Sequence, residues 1–186
     1  MKKLLFTFGI LSFSPQLLLA HGGHGTGFVA GLTHPIFGLD HLIAIVGASV
    51  LGYALLTQKQ WLPSLAFVLA MIVGGVLGVE AEAIYITEWI IVLSVLITGF
   101  LIAFEIQVPF LVYGLLYALF GFFHGHAHGT EMPAASNIWW YVLGFVAGVA
   151  ILSGLGRVLT KLIRQPVHTR LLGAFMAGMG LMMLLA

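Results

Sequence analysis

The sequence contains no cysteine, which excludes disulfide bonds, thiolate metal sites and cysteine nucleophiles. It is also poor in charge: charged residues make up 7% of the chain, against about 25% in a soluble domain. The net charge of +1 is too small to indicate a nucleic-acid partner. No GxxxxGK[ST] loop occurs, and no GxGxxG turn opens a helix after a strand, so no motif indicates ATP hydrolysis.

Apolar residues dominate instead, at 61% of the 186 residues, as expected of a membrane protein. The first 20 residues have the features of a secretory signal peptide, with Lys2 and Lys3 before an apolar run and Ala20 before the cleavage point. We therefore predict a signal peptide over 1–20 and a single domain over 21–186. An uncleaved first helix is the alternative.

Six long apolar segments follow the signal peptide, each close to the roughly 20 residues that span a bilayer. They lie near 33–57, 61–82, 86–104, 108–125, 138–159 and 168–186. Small residues recur at four-residue spacing, as at Gly74 and Gly78 or Ala174 and Gly178, which is typical of closely packed helices in lipid. We predict an all-α membrane protein, a compact bundle of six transmembrane helices after a cleaved signal peptide.

The positive charges indicate an orientation. Threading six spans from an outer start places every lysine and arginine after the signal peptide on one side, and the positive-inside rule assigns that side to the cytoplasm. These residues are Lys59, Arg157, Lys161, Arg164 and Arg170. Most acids and histidines then fall on the outer side. We predict a protein of the bacterial cytoplasmic membrane with both termini outside.

The first candidate metal motif is HPIFGLDH, which contains His34, Asp40 and His41 at the start of an apolar segment. Ionisable groups at membrane depth indicate a functional site. On a continuous helix His34 and His41 would lie about 10 Å apart along the axis, too far to share one ion. Either the segment around Pro35 and Gly38 is unwound, or the two histidines serve successive stations. Simple capping of a helix start is the alternative function.

The second candidate motif is FHGHAHGTE, at the outer end of the fourth predicted span. His124 and His128 are spaced i, i+4 and share one helix face, a common chelating arrangement. His126 lies on another face. Glu131 can supply a ligand oxygen or accept a hydrogen bond from a ligating histidine. A solvated histidine-rich loop is the alternative.

Acidic residues near the outer ends can complete such a site. Glu88 begins the third predicted span, where it is either a ligand or a helix N-terminal acid favoured by the helix dipole. Glu80 and Glu82 fit better as charges that attract cations to the entrance.

Signal cleavage after Ala20 would create a further metal-binding group. His21 would then offer both its α-amine and its imidazole, and His24 could add a third nitrogen because Gly22 and Gly23 let the chain fold back. Nitrogen-rich surroundings suit Ni²⁺ or Cu²⁺. A histidine-containing tail without a metal is the alternative.

Together, HPIFGLDH and FHGHAHGTE resemble the two signature motifs of the HupE/UreJ family of nickel and cobalt permeases, and the resemblance covers nearly the whole chain. The better-known nickel–cobalt permease family has a similar first motif, one residue shorter, and more spans. The resemblance implies supply of metal to nickel enzymes such as hydrogenase or urease. It also implies that these residues serve metal passage: His34, Asp40, His41, Glu88, His124, His128 and Glu131.

We therefore predict a secondary permease that carries Ni²⁺ or Co²⁺ inward through a His/Asp/Glu site near the outer entrance. It has no prosthetic group and is not an enzyme; its partners are the divalent ion and the lipid bilayer. The sequence leaves Ni²⁺ against Co²⁺ open. The alternative is a membrane-embedded zinc-dependent hydrolase that uses the same ligands. A haem-binding cytochrome would need facing histidines, such as His41 and His124, and the surplus of acids speaks against it.

Overall fold

The computed structural model describes residues 27–82, 84–132, 137–163 and 165–185, which form seven helices and no strand. The all-α prediction is therefore confirmed, whereas the predicted signal peptide lies outside the described residues. The helices are α1 (Phe28–Phe37), α2 (Leu39–Leu55), α3 (Leu62–Gly78), α4 (Ile86–Ala103), α5 (Phe110–Thr130), α6 (Ile138–Leu162) and α7 (Pro166–Leu185).

The segment predicted as one span over 33–57 is instead two helices that meet at an angle of 81°. The break is at Gly38, whose backbone is extended (φ −79°, ψ 108°). Pro35, inside the last turn of α1, has no N–H to donate to the helix and so weakens it just before the break. A continuous helix is thus excluded, but the segment is kinked and not unwound, because Pro35 stays helical and only Gly38 lies outside the two helices.

Four helices, α4 to α7, are long and apolar enough to cross a membrane, and the bent pair α1 and α2 would make a fifth span. Helix α3 has 17 residues, at the short end of the usual range. The predicted count of six spans therefore stays a prediction. Helix α5 continues to Thr130, beyond the predicted end at 125, so the second histidine motif is helical up to Thr130, and Glu131 is the C-cap residue.

The helices associate as three close pairs: α1 with α6, α3 with α5, and α4 with α7. Helix α2 runs between the pairs and contacts α1, α3, α4, α6 and α7. Its central position explains why Ala44, Ile45, Ala48, Val50 and Leu51 are almost fully buried. Many large apolar side chains on the other helices are exposed, as expected of surfaces that face lipid.

Glycines allow the helices of each pair to approach closely. A methyl group on Gly74 would lie 2.0 Å from the carbonyl oxygen of Phe122, and one on Gly144 would lie 2.0 Å from that of Phe28. Gly173 allows α4 and α7 to approach closely, since a methyl group on Gly173 would lie 2.4 Å from the backbone nitrogen of Ala103. Gly178 makes no such contact, because a methyl group there would have no atom of another described helix within 4 Å.

The two ends of the bundle differ in chemistry. At one end Arg157 lies over the Tyr53 ring, Lys59 lies over the Phe110 ring, and Arg170 Nε–H donates to the carbonyl of Ala103. We call this the basic end. The opposite end holds both histidine motifs and a group of exposed aromatic residues typical of a membrane interface. These aromatic residues are Tyr85, Trp89, Trp139 and Trp140.

Candidate metal centre

The two histidine motifs meet at the bend between α1 and α2. The ring of His128 lies 4.3 Å from that of His34 and 4.2 Å from that of His41, measured between centroids. The His41 ring lies 4.9 Å from the His124 ring, and 6.3 Å from the His34 ring. We call His34, His41, His124 and His128 the histidine cluster. The bend makes it possible, since it replaces the roughly 10 Å separation along a continuous helix.

Asp40 orients His41. The Nδ1–H of His41 donates to Asp40 Oδ1 at 2.6 Å, which leaves the Nε2 lone pair of His41 available. That Nε2 atom is buried and has no hydrogen-bond partner among the described residues. A carboxylate that holds the far nitrogen of a ligating histidine is a recurrent feature of metal sites. The geometry favours Asp40 as this orienting group over Asp40 as a direct ligand.

His124 is held in the same way by the backbone. Its Nδ1–H donates to the carbonyl of Phe120 at 2.9 Å, and its Nε2 is buried without a partner in the described part of the chain. An unpaired buried polar group costs about 1–3 kcal/mol. Binding of a shared cation by His41 Nε2 and His124 Nε2 would explain why both nitrogens are buried without a hydrogen-bond partner in the described part of the chain.

Glu131 adds a carboxylate to the cluster. One ligand atom each from His34, His128 and Glu131 lies within 4.8 Å of the others, an arrangement that could hold a metal ion. Ligands of one ion at about 2.1 Å lie at most about 4.2 Å apart. Side-chain shifts of under about 1 Å would therefore bring all three onto one ion.

The remaining predicted site residues lie elsewhere. Glu88 is exposed in the first turn of α4 and lines a pocket of about 590 Å³ together with Glu131. We call this the outer pocket. Both acids interact electrostatically with His41. His21 and His24 lie outside the described residues.

Two aromatic residues of α6 belong to the site but were not predicted. The Phe145 ring lies 4.8 Å from the His128 ring, and the Tyr141 ring lies 6.0 Å from the His34 ring. They are spaced i, i+4 beside Gly144, which is the signal that could have placed them on one contact face of α6. They form an aromatic wall beside the histidine cluster, and the buried Tyr141 hydroxyl has no hydrogen-bond partner among the described residues.

Comparison with known proteins adds an independent observation. The family described as "HupE / UreJ protein" matches residues 10–183. "Protein HupE" of Rhizobium leguminosarum bv. viciae is 42% identical over 149 residues, covering 80% of this chain and 78% of that protein. No solved structure matches the chain significantly. The range matched by the family includes both histidine motifs.

Proposed function

Because the chain belongs to the HupE/UreJ family, whose members are associated with nickel and cobalt transport, we propose that it is a secondary permease for Ni²⁺ or Co²⁺. The observation that supports this most strongly is the histidine cluster, in which His41 and His124 each hold an unpartnered Nε2 beside two further imidazoles. Imidazole is a good ligand for Ni²⁺, and carboxylate oxygen can complete the coordination. The metal is the cargo of this protein.

In this proposal the four histidines and Glu131 bind the ion, and Asp40 holds His41 in its ligating orientation. Glu88 draws the ion toward the cluster from the outer pocket. His21 and His24 are proposed to capture metal at the new N-terminus after signal cleavage. His41 comes from α2, His34 from α1, and His124 and His128 from α5, so the ion would be bound jointly by three helices.

The proposed direction is inward. The described lysines and arginines lie at the basic end, which the positive-inside rule assigns to the cytoplasm, and the histidine cluster then lies near the outer surface. The membrane potential contributes about 2.3 kcal/mol per charge per 100 mV, hence about 4.6 kcal/mol for a divalent cation. Since about 1.4 kcal/mol is tenfold, this supports roughly thousandfold accumulation without ATP.

Neither alternative is favoured. A zinc hydrolase would need a general base beside an open metal position, which Glu131 could supply, but the family is one of transport-associated proteins. A haem would need its iron between two facing histidines. The His41 and His124 rings, 4.9 Å apart, leave no room for a porphyrin between them.

The purified chain in proteoliposomes should accumulate Ni²⁺ or Co²⁺ when the lumen is made electrically negative, by up to about a thousandfold per 100 mV at equilibrium. Uptake of labelled Ni²⁺, Co²⁺ and Zn²⁺ would be measured against protein-free liposomes and against zero potential. Tight zinc binding with no flux of any of these ions would contradict the proposal and favour the hydrolase.

The Asp40→Asn variant is expected to bind Ni²⁺ about 10–100-fold more weakly, the usual effect of removing a group that orients a ligating histidine. The amide can present its NH₂ group to Nδ1, which favours the tautomer that blocks Nε2 with a proton. The Co²⁺-loaded variant should keep the absorption bands of the wild type, because the ligands are unchanged. A spectrum showing a lost oxygen ligand would instead make Asp40 a direct ligand.

A further inference from the structure

The outer pocket is lined in part by polar side chains that have no role in the proposed transport site. Its walls come from the loop before α4, the first turn of α4 and the last turns of α5. Its polar lining residues are Thr87, Glu88, His126, Thr130 and Glu131. It adjoins the histidine cluster, since Glu131 belongs to both.

Two of these side chains are buried, and each has a polar atom without a hydrogen-bond partner in the described part of the chain. His126 and Thr87 are each only 4% exposed, and within the described residues neither His126 Nδ1 nor Thr87 Oγ1 has a partner. A buried polar atom without a hydrogen-bond partner is unfavourable. Both atoms can offer lone pairs, and the two carboxylates in the same pocket supply negative charge. A cation attracted by the carboxylates would coordinate both atoms once the side chains close around it, since among the described residues only His34, His128 and Glu131 already place ligand atoms within 4.8 Å of one another.

His126 cannot take part in the histidine cluster itself. It lies two residues from His124 and from His128, so its side chain is rotated by about 200° from theirs around α5. Its backbone is fixed against α3, because a methyl group on Gly78 would lie 2.4 Å from His126 O. Helix α5 therefore presents two histidines to the cluster and the third to the outer pocket.

We propose that the outer pocket is a second binding station for a divalent transition-metal ion, formed by His126, Thr87 and Glu88, with Glu131 shared between this station and the histidine cluster. A shared carboxylate allows the ion to move by ligand exchange: it remains bound to Glu131 while His126 and Thr87 are replaced by His34 and His128. Delivery to the cluster rests on the proposed transport function, whereas binding in the outer pocket does not.

The test is the number of ions bound and the kinetics of uptake. In equilibrium dialysis with Ni²⁺, the purified chain carrying His21→Gln and His24→Gln, which remove the proposed N-terminal capture group, should bind two ions, one more tightly than the other. His126→Gln and Thr87→Val should each lose the weaker ion and keep the tighter one. In proteoliposomes both should raise the KM for Ni²⁺ by about tenfold or more with kcat retained, because the cluster is unchanged.

His168→Gln is the matched control, since His168 is exposed at the start of α7, near the basic end, and should behave as wild type. Thr87→Val removes the hydroxyl but preserves the shape of the side chain. It therefore still tests the second station if His126→Gln fails to fold. A chain without His21 and His24 that binds one ion, or outer-pocket variants with two ions and an unchanged KM, would overturn the second station. Two bound ions in a protein without uptake would instead overturn the transport function and leave the station standing.

Discussion

The His41→Ala variant is expected to lose metal uptake by at least about a hundredfold while it still inserts and folds. His41 is the one proposed ligand that α2 contributes to the described cluster, and its ring lies against those of His124 and His128. Loss of the ligand itself should exceed the roughly 10–100-fold effect of losing a group that only orients one. The fold should survive because the loss of the hydrogen bond to Asp40 is offset by removal of a buried nitrogen that has no partner in the described part of the chain.

Uptake and Ni²⁺ affinity would be measured beside His168→Ala, a histidine substitution near the basic end that should change neither. Adding His124→Ala to His41→Ala should weaken binding less than the sum of the two single effects, because both residues would bind the same ion. Wild-type uptake by a folded His41→Ala protein would refute the assignment of the cluster. Fully additive losses in binding free energy would show that the two histidines serve separate sites.

The Gly74→Ala variant is expected to lower stability by about 1–3 kcal/mol or more, the usual cost of overpacking a close contact. The added methyl would lie 2.0 Å from the carbonyl oxygen of Phe122, a backbone atom that cannot rotate away. Helices α3 and α5 would have to separate, and α5 carries His124 and His128. Metal affinity should therefore fall together with stability.

Gly154→Ala is the matched control, because no atom lies within 4 Å of a methyl group at that position. Thermal unfolding in detergent should show a lower midpoint for Gly74→Ala and no loss for Gly154→Ala, since alanine is the better helix former. Equal midpoints for the two variants would mean that the α3–α5 contact does not limit stability.

The sequence allowed the members of the histidine cluster to be predicted because ionisable groups are rare in such an apolar chain. His34 and His41 stood out by their context, and i, i+4 spacing placed His124 and His128 on one face. The spacing of the histidines in the sequence could not predict the 81° angle between α1 and α2 at Gly38. Proline and glycine show where a helix weakens, but tertiary contacts decide how far it bends.

The pairing of helices was also beyond the sequence. Nearly every face is apolar, so hydrophobic periodicity does not distinguish lipid-facing from protein-facing sides. Gly178 and Gly74 have similar four-residue spacing to a neighbouring small residue, yet only Gly74 of these two touches another helix. The orienting role of Asp40 could not be predicted either. Adjacent side chains on an ideal helix point about 100° apart. The hydrogen bond from His41 to Asp40 therefore depends on the local geometry after the bend.

The three close helix pairs have a mechanical consequence. With backbone atoms in direct contact at glycines, each pair behaves as a stiff unit, and relative movement is easier between units than within them. His34 belongs to the α1–α6 unit, His124 and His128 belong to the α3–α5 unit, and His41 stands on the central helix. An ion bound by these four histidines would link the α1–α6 unit, the α3–α5 unit and helix α2. Sliding of one unit past another would change the distances between these histidines, so release of a bound ion would be coupled to helix movement.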